Sequence, residues 1–141
     1  MNVLIVGGGN VGATLATRLR AAQHQVKLIE LRHEHFAALQ RDLPADMLVY
    51  GSGTEPDMLE AADIRQAAVV AALTGADETN LVITSLARFE FGVPHTIARV
   101  NNPKNAWLFT AEMGVDVALD QADLIARMIL EELHTAANPT L

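Results

Sequence analysis

A chain of 141 residues, half of them hydrophobic and 19% charged, has the balance of one globular domain rather than of a disordered segment. Its net charge of −7 and its two lysines, Lys27 and Lys104, argue against a broad nucleic-acid-binding face, because phosphate recognition draws on clustered Lys and Arg. The absence of cysteine excludes disulfides, thiolate nucleophiles and Cys-ligated zinc. No apolar run approaches the ~20 residues that a membrane span needs, and no basic stretch precedes the first strand. The chain therefore reads as soluble and cytoplasmic, without a signal peptide.

Short β-branched runs alternate with amphipathic stretches, the pattern of βαβ units and a parallel sheet. Residues 3–6 read as the first strand, and residues 11–22 as a helix with Leu15 and Leu19 at helical spacing. A second strand covers 26–30 and a helix 33–42, with Phe36, Leu39 and Leu43 on one face. After a short third strand at 47–50, Thr54-Glu55-Pro56-Asp57 reads as a helix start: a hydroxyl cap, a proline in the first turn and an acid three residues after the cap. The run Ala68-Val69-Val70-Ala71-Ala72-Leu73 is apolar enough for the centre of the sheet. A helix over 76–89, a fifth strand over 95–100 and a helix over 105–113 follow, the last closed by Gly114. A sixth strand at 115–119 and a final helix at 120–133, capped by Asp120, complete the pattern. The expectation is an α/β fold: a Rossmann-like, doubly wound parallel sheet of six strands in the order 3-2-1-4-5-6. It forms a single domain over 1–134, and residues 135–141 are expected to fray.

Gly7, Gly9 and Gly12 match G-x-G-x-x-G, directly after a strand and directly before a helix. In that context Gly7 permits the turn out of the strand, Gly9 leaves room for a pyrophosphate against the backbone, and Gly12 allows close helix–sheet packing. The helix start, at Asn10 and Val11, offers unpaired N–H groups and the positive end of a dipole to an anion. Glu30 ends the second strand 21 residues after Gly9, where a carboxylate accepts hydrogen bonds from an adenosine ribose. Its charge repels a 2′-phosphate, which argues against NADP; Arg32 is placed over the adenine or in solvent. Open α/β sheets bind ligands at strand C-termini, which adds Leu31, Gly51, Ser52, Leu73, Thr74 and Arg99 to the candidate site.

Apparatus for catalysis is missing. The Rossmann unit takes up the whole chain and leaves no substrate domain. Tyr50 is the only tyrosine and no lysine is near it in sequence. His24, His33, His35, His95 and His134 are scattered, and His33 and His35 point about 200° apart on a helix, which makes a poor metal pair. Glu131 and Glu132 read as solvated charges. No metal site and no enzyme activity are expected.

The sequence resembles the N-terminal nucleotide-binding domain of regulators of potassium conductance, the RCK or TrkA-N family of the Trk and Ktr uptake systems. The resemblance covers residues 1–133. It rests on the run from Val3 to Gly12 with Glu30, the stretch Gly51 to Ile64, the segment Ala71 to Asn80 with Thr74, Asp77 and Asn80, and Ile97 to Asn105 with Arg99. It implies that Gly7, Gly9, Asn10, Val11 and Gly12 cradle phosphates and that Glu30 holds the ribose. Ser52 and Thr74 would line the adenosine side, and Arg99 would approach the distal phosphates. NAD(H) is the implied ligand, with AMP, ADP or ATP as alternatives. Members dimerise through the last helix, so Leu124, Ile125, Met128, Ile129 and Leu133 become candidate dimer contacts, although packing on the chain's own sheet gives the same stripe.

Two positions depart from the family pattern: Ser52 stands where Asp is usual, and Asn10 where some members carry an arginine that grips polyphosphate. The C-terminal domain that commonly follows does not fall within these residues, which fits a free-standing regulator or a piece of a larger chain. The implied function is a non-catalytic, nucleotide-sensing regulatory subunit. It would form a homodimer or a larger ring and gate a membrane potassium transporter or channel from the inner face of the membrane. Two alternatives stay open: a small NAD-dependent oxidoreductase or a fragment of one, and an assembly module with a vestigial pocket.

Overall fold

Strands buried on both faces read as continuous apolar runs, and the runs at 3–6 and 68–73 become strands of the sheet. The computed structural model describes residues 1–138. Its strands are β1 (Asn2–Val6), β2 (Gln25–Glu30), β3 (Leu48–Tyr50), β4 (Val69–Ala72), β5 (His95–Val100) and β6 (Val117–Asp120). They form one parallel sheet in the predicted order, β3-β2-β1-β4-β5-β6. The order reverses at β1, which pairs with β2 on one side and β4 on the other, so Val6 stands level with both Ile29 and Ala72. A crevice must open there, because the connections leave β1 and β4 toward opposite faces.

The helices are α1 (Asn10–Ala21), α2 (His33–Asp42), α3 (Pro56–Ala61), α4 (Asp77–Ser85) and α5 (Gln121–Ala137). Side-chain alternation along β1 divides the core. Leu4 and Val6 face Leu59, Ile64 and Ile83, the side carrying α3 and α4. Val3 and Ile5 face Ala16, Leu39 and Leu43, the side carrying α1 and α2.

The structure corrects four expectations. The helix over 105–113 is two 3-10 turns, Pro103–Leu108 and Ala111–Met113. The chain leaves helical geometry at Phe109, whose side chain is buried in the core, and is extended at Thr110, so one helix cannot run through. Gly114 does end the second turn, in the left-handed region at φ +80°. The helix over 76–89 is α up to Ser85 and then widens into a π turn, Leu86–Glu90, which keeps Ala87 in the core and leaves Phe89 in solvent. Thr54 does not cap α3: Pro56 holds the preceding Glu55 extended, making Glu55 the cap residue, and the Thr54 hydroxyl pairs with Ser52 instead. The sixth strand begins two residues later than expected, because Val115 is buried and Asp116 turns to pair with Arg88.

Asp120 caps α5 as predicted, accepting from the Asp123 N–H at 3.1 Å. Residues 135–137 of the expected tail continue that helix, while 139–141 lie outside the described residues.

Candidate functional site

At the reversal point the strand ends and the loops after them enclose a cleft of about 260 Å³. Of the residues expected there, Gly7, Gly9, Glu30, Leu31, Arg32, Gly51, Ser52, Leu73, Thr74 and Arg99 all line it. Asn10, Val11 and Gly12 do not: they form the first turn of α1 just beyond the lining. The first intrahelical bond of α1 runs from the Ala13 N–H to the Gly9 carbonyl, so the N–H groups before Ala13 lie in the stretch that α-helices leave unpaired.

Backbone geometry explains the glycines. Gly7 sits at φ +115°, and a Cβ there would lie 3.0 Å from the Leu73 carbonyl. A Cβ on Gly12 would collide with the Gly7 carbonyl oxygen, while the nearest sheet atom, on Ile5, stays at 3.6 Å. Gly12 therefore serves the turn itself more than helix–sheet packing. Around Gly9 nothing lies within 4 Å of an added Cβ, which leaves the space a ligand would need.

Glu30 is 5% exposed and is no free strand-end acid. Its carboxylate accepts from the Gly8 N–H and, at 2.8 Å, from the Arg32 N–H, tying the β1–α1 and β2–α2 loops together. A carboxylate offers about four acceptor positions, so two remain for ribose hydroxyls. Gly8, given no role by the motif, is required by this contact: a Cβ there would stand 2.6 Å from Glu30 Oε2. The Arg32 side chain is exposed and leans across the mouth, 3.9 Å from where a Gly75 Cβ would be.

Thr74 and Arg99 lie on the opposite half, at the ends of β4 and β5. Arg99 is half-buried, and its Nε, like that of Arg88 outside the cleft, is buried without a hydrogen-bond partner. Ser52 is turned inward on Thr54, Oγ to Oγ1 at 2.7 Å.

Sequence reasoning assigned no role to His35 and Thr79, which also line the cleft, nor to Asp77 and Asn80 behind it. Asp77 and Asn80 left a trace in the sequence: with Thr74 they fall at three-residue spacing. Burial pushes the Asp77 carboxyl up, but hydrogen bonds from the Asn101 N–H, Asn105 Nδ2, the Asn102 N–H and Asn101 Nδ2 outweigh it and hold it below the ordinary carboxylate range. Among the described residues no group of three or more His, Asp or Glu could hold a metal ion, and no helix is long and apolar enough to cross a membrane.

α5 buries none of its residues. Leu124, Ile125, Met128, Ile129 and Leu133 are between 43% and 65% exposed, so the stripe does not pack on its own sheet.

Residues 3–121 match the TrkA-N domain family. Among curated relatives, the Trk system potassium uptake protein TrkA of Mycobacterium tuberculosis (strain ATCC 25618 / H37Rv) is 37% identical over 131 residues, covering 93% of this chain and 59% of the relative. A Trk system potassium uptake protein TrkA homolog of Methanothermobacter thermautotrophicus is 42% identical over 135 residues, 96% of this chain and 61% of the relative. The chain thus spans about three fifths of the length of these relatives. Among solved structures, the TrkA-N domain of the Escherichia coli inner membrane protein ybaL superposes with a TM-score of 0.82 at 23% identity, covering 94% of this chain and 96% of that one. The GsuK channel bound to NAD gives 0.79 at 23% identity, covering 96% of this chain and 24% of that one. These structural likenesses carry the fold; the sequence match, running from β1 to the start of α5, carries the kinship. The chain belongs to the TrkA-N domain family.

Proposed function

We propose that this chain is a nucleotide-sensing regulatory component of a potassium transport system. Residues 1–134 form the binding unit, which takes NAD(H) or an adenine nucleotide in the cleft. One observation carries the reading. Glu30, anchored by backbone N–H groups, and Arg99 line one cleft from opposite halves with the glycine loop between them. A ribose, a phosphate bridge and a further anionic group have matching chemistry in that order. Relatives named as potassium uptake proteins support the transport assignment. Solved neighbours carry NAD, ADP and AMP respectively: the GsuK channel, GsuK, and the Kef C-terminal domain of Shewanella denitrificans.

The response to a ligand runs through assembly. Most helical stability comes from packing an apolar face, and α5 exposes one along its whole length. That face is the surface on which a second copy docks, with a membrane transporter or channel as the further partner at the inner face of the membrane. A nucleotide alters the assembly by as much as it prefers one arrangement over another. The relatives, named as potassium uptake proteins, favour a regulatory role over a catalytic one.

The test is a thermal-shift panel of NAD, NADH, NADP, AMP, ADP and ATP on wild type and Glu30→Ala. A ligand at one hundred times its Kd stabilises the native state by about 2.7 kcal/mol. At least one adenine nucleotide raises the wild-type Tm and loses that effect in the variant. A panel with no response from wild type sinks the sensor reading and leaves assembly as the purpose of the domain.

A further inference from the structure

The first turn of α4 carries two buried polar side chains, Asp77 and Asn80, that do not line the cleft. They stand three residues apart, on one face of the helix. Asn80 is fully buried. Its Oδ1 accepts from the Thr74 N–H at 3.0 Å and the Thr74 hydroxyl at 2.7 Å. Its Nδ2 donates to the Thr74 carbonyl at 3.1 Å and the Arg99 carbonyl at 2.9 Å. Asp77 takes the next stretch of chain, accepting from the Asn101 and Asn102 N–H groups at 2.6 and 2.9 Å and from Asn105 Nδ2 at 2.9 Å. The backbone is therefore fixed at Arg99 itself and again two and three residues later. Thr74 is fixed through its N–H, its carbonyl and its hydroxyl.

We infer that Asp77 and Asn80 are positioning residues that aim Thr74 and Arg99, and that they thereby decide how tightly the cleft holds whatever a nucleotide carries beyond its first phosphate. The inference rests on the nucleotide reading of the cleft. With a ribose at Glu30 and the first phosphate at the start of α1, the next group crosses to the β4–β5 half. There it meets a guanidinium whose main chain cannot drift. Donors held in place before binding need little ordering when the anion arrives, which is where their affinity comes from. Losing the brace leaves Arg99 present but unaimed.

The experiment is calorimetric titration of AMP and of ADP into wild type, Asn80→Ala, Arg99→Ala and the double variant, with circular dichroism reporting the fold. Wild type binds ADP more tightly than AMP. Asn80→Ala weakens ADP by about tenfold, the size of one lost charge-assisted contact, and AMP by less than about twofold. In the Arg99→Ala background Asn80→Ala costs ADP much less than it does in wild type, the non-additivity of groups that act through a shared contact. If Asn80→Ala does not fold, Asp77→Asn, which keeps volume and an acceptor oxygen, is put through the same comparison. Equal weakening of both nucleotides, additive losses, or a wild type indifferent to the second phosphate overturns the inference and leaves the cleft reading standing. Failure of wild type to bind either nucleotide overturns the inference, and failure to bind NAD and NADH as well overturns the cleft reading with it.

Discussion

The two ends of this chain's polar chemistry are built on opposite plans. Where α4 meets β4 and β5, Asp77 and Asn80 are buried and every one of their side-chain oxygens and nitrogens is engaged. Where β6 passes into α5, no helical residue is buried, and one cap hydrogen bond and an exposed Arg127–Asp123 pair are the polar contacts. One region is fastened within the single chain; the other leaves its apolar face exposed. The proposed division puts stability on the first side and association on the second, and substitutions test it.

The largest effect comes from emptying the fastened side. Ile83→Ala, at a fully buried position beneath the cleft, lowers unfolding free energy by about 2–5 kcal/mol in urea titration. Asp77→Asn costs about 2 kcal/mol at neutral pH, since hydrogen bonds to a buried charge are the stronger kind. Its folded-state pKa lies below the ordinary value, so this stabilisation is present above the unfolded pKa of about 3.9 and is lost as pH falls through the folded one. The stability curves of wild type and Asp77→Asn accordingly converge below about pH 4, and curves that stay parallel would refute the assignment. Gln23→Gly moves stability the other way, by up to about 1 kcal/mol in thermal melts, because Gln23 holds φ +69° at the end of α1.

The smallest effect on the dilute protein lies on the unfastened side. Met128→Ser on α5 shifts unfolding free energy by less than about 0.5 kcal/mol, as exposed sites do. The same substitution weakens self-association in sedimentation at high protein concentration. A loss above 2 kcal/mol in the dilute protein would mean that α5 folds back on the domain in solution, and the contrast between the regions would collapse.

What the sequence disclosed follows from the range of the forces involved. Strands β1 and β4 were legible because burial on both faces demands unbroken apolar runs, and the glycine loop because a turn at φ +115° admits little else than glycine. Glu30 was legible as an acid at the right distance, but its anchoring by the Gly8 and Arg32 N–H groups depends on two loops meeting. Asn80 reaches the Arg99 carbonyl across 19 residues of sequence, a pairing that exists only once β4 and β5 are in register. The segment 103–113 carries helical periodicity that local reading cannot separate from 3-10 turns, and burial of Phe109 decided it. The stripe on α5 was visible, but periodicity says only that a face is apolar, never what covers it.

The strand order has a consequence for how the chain is made. With β1 at the centre, each later strand adds to an edge that already exists: β2 and β3 on one side, then β4, β5 and β6 on the other. None has to be inserted between two strands already paired. During synthesis an open edge is a hazard for wrong pairing, and here it is relieved in the order in which residues emerge. Within these residues the last pieces to emerge, β6 and α5, are the least buried, so the sheet is nearly complete before its most exposed elements are made.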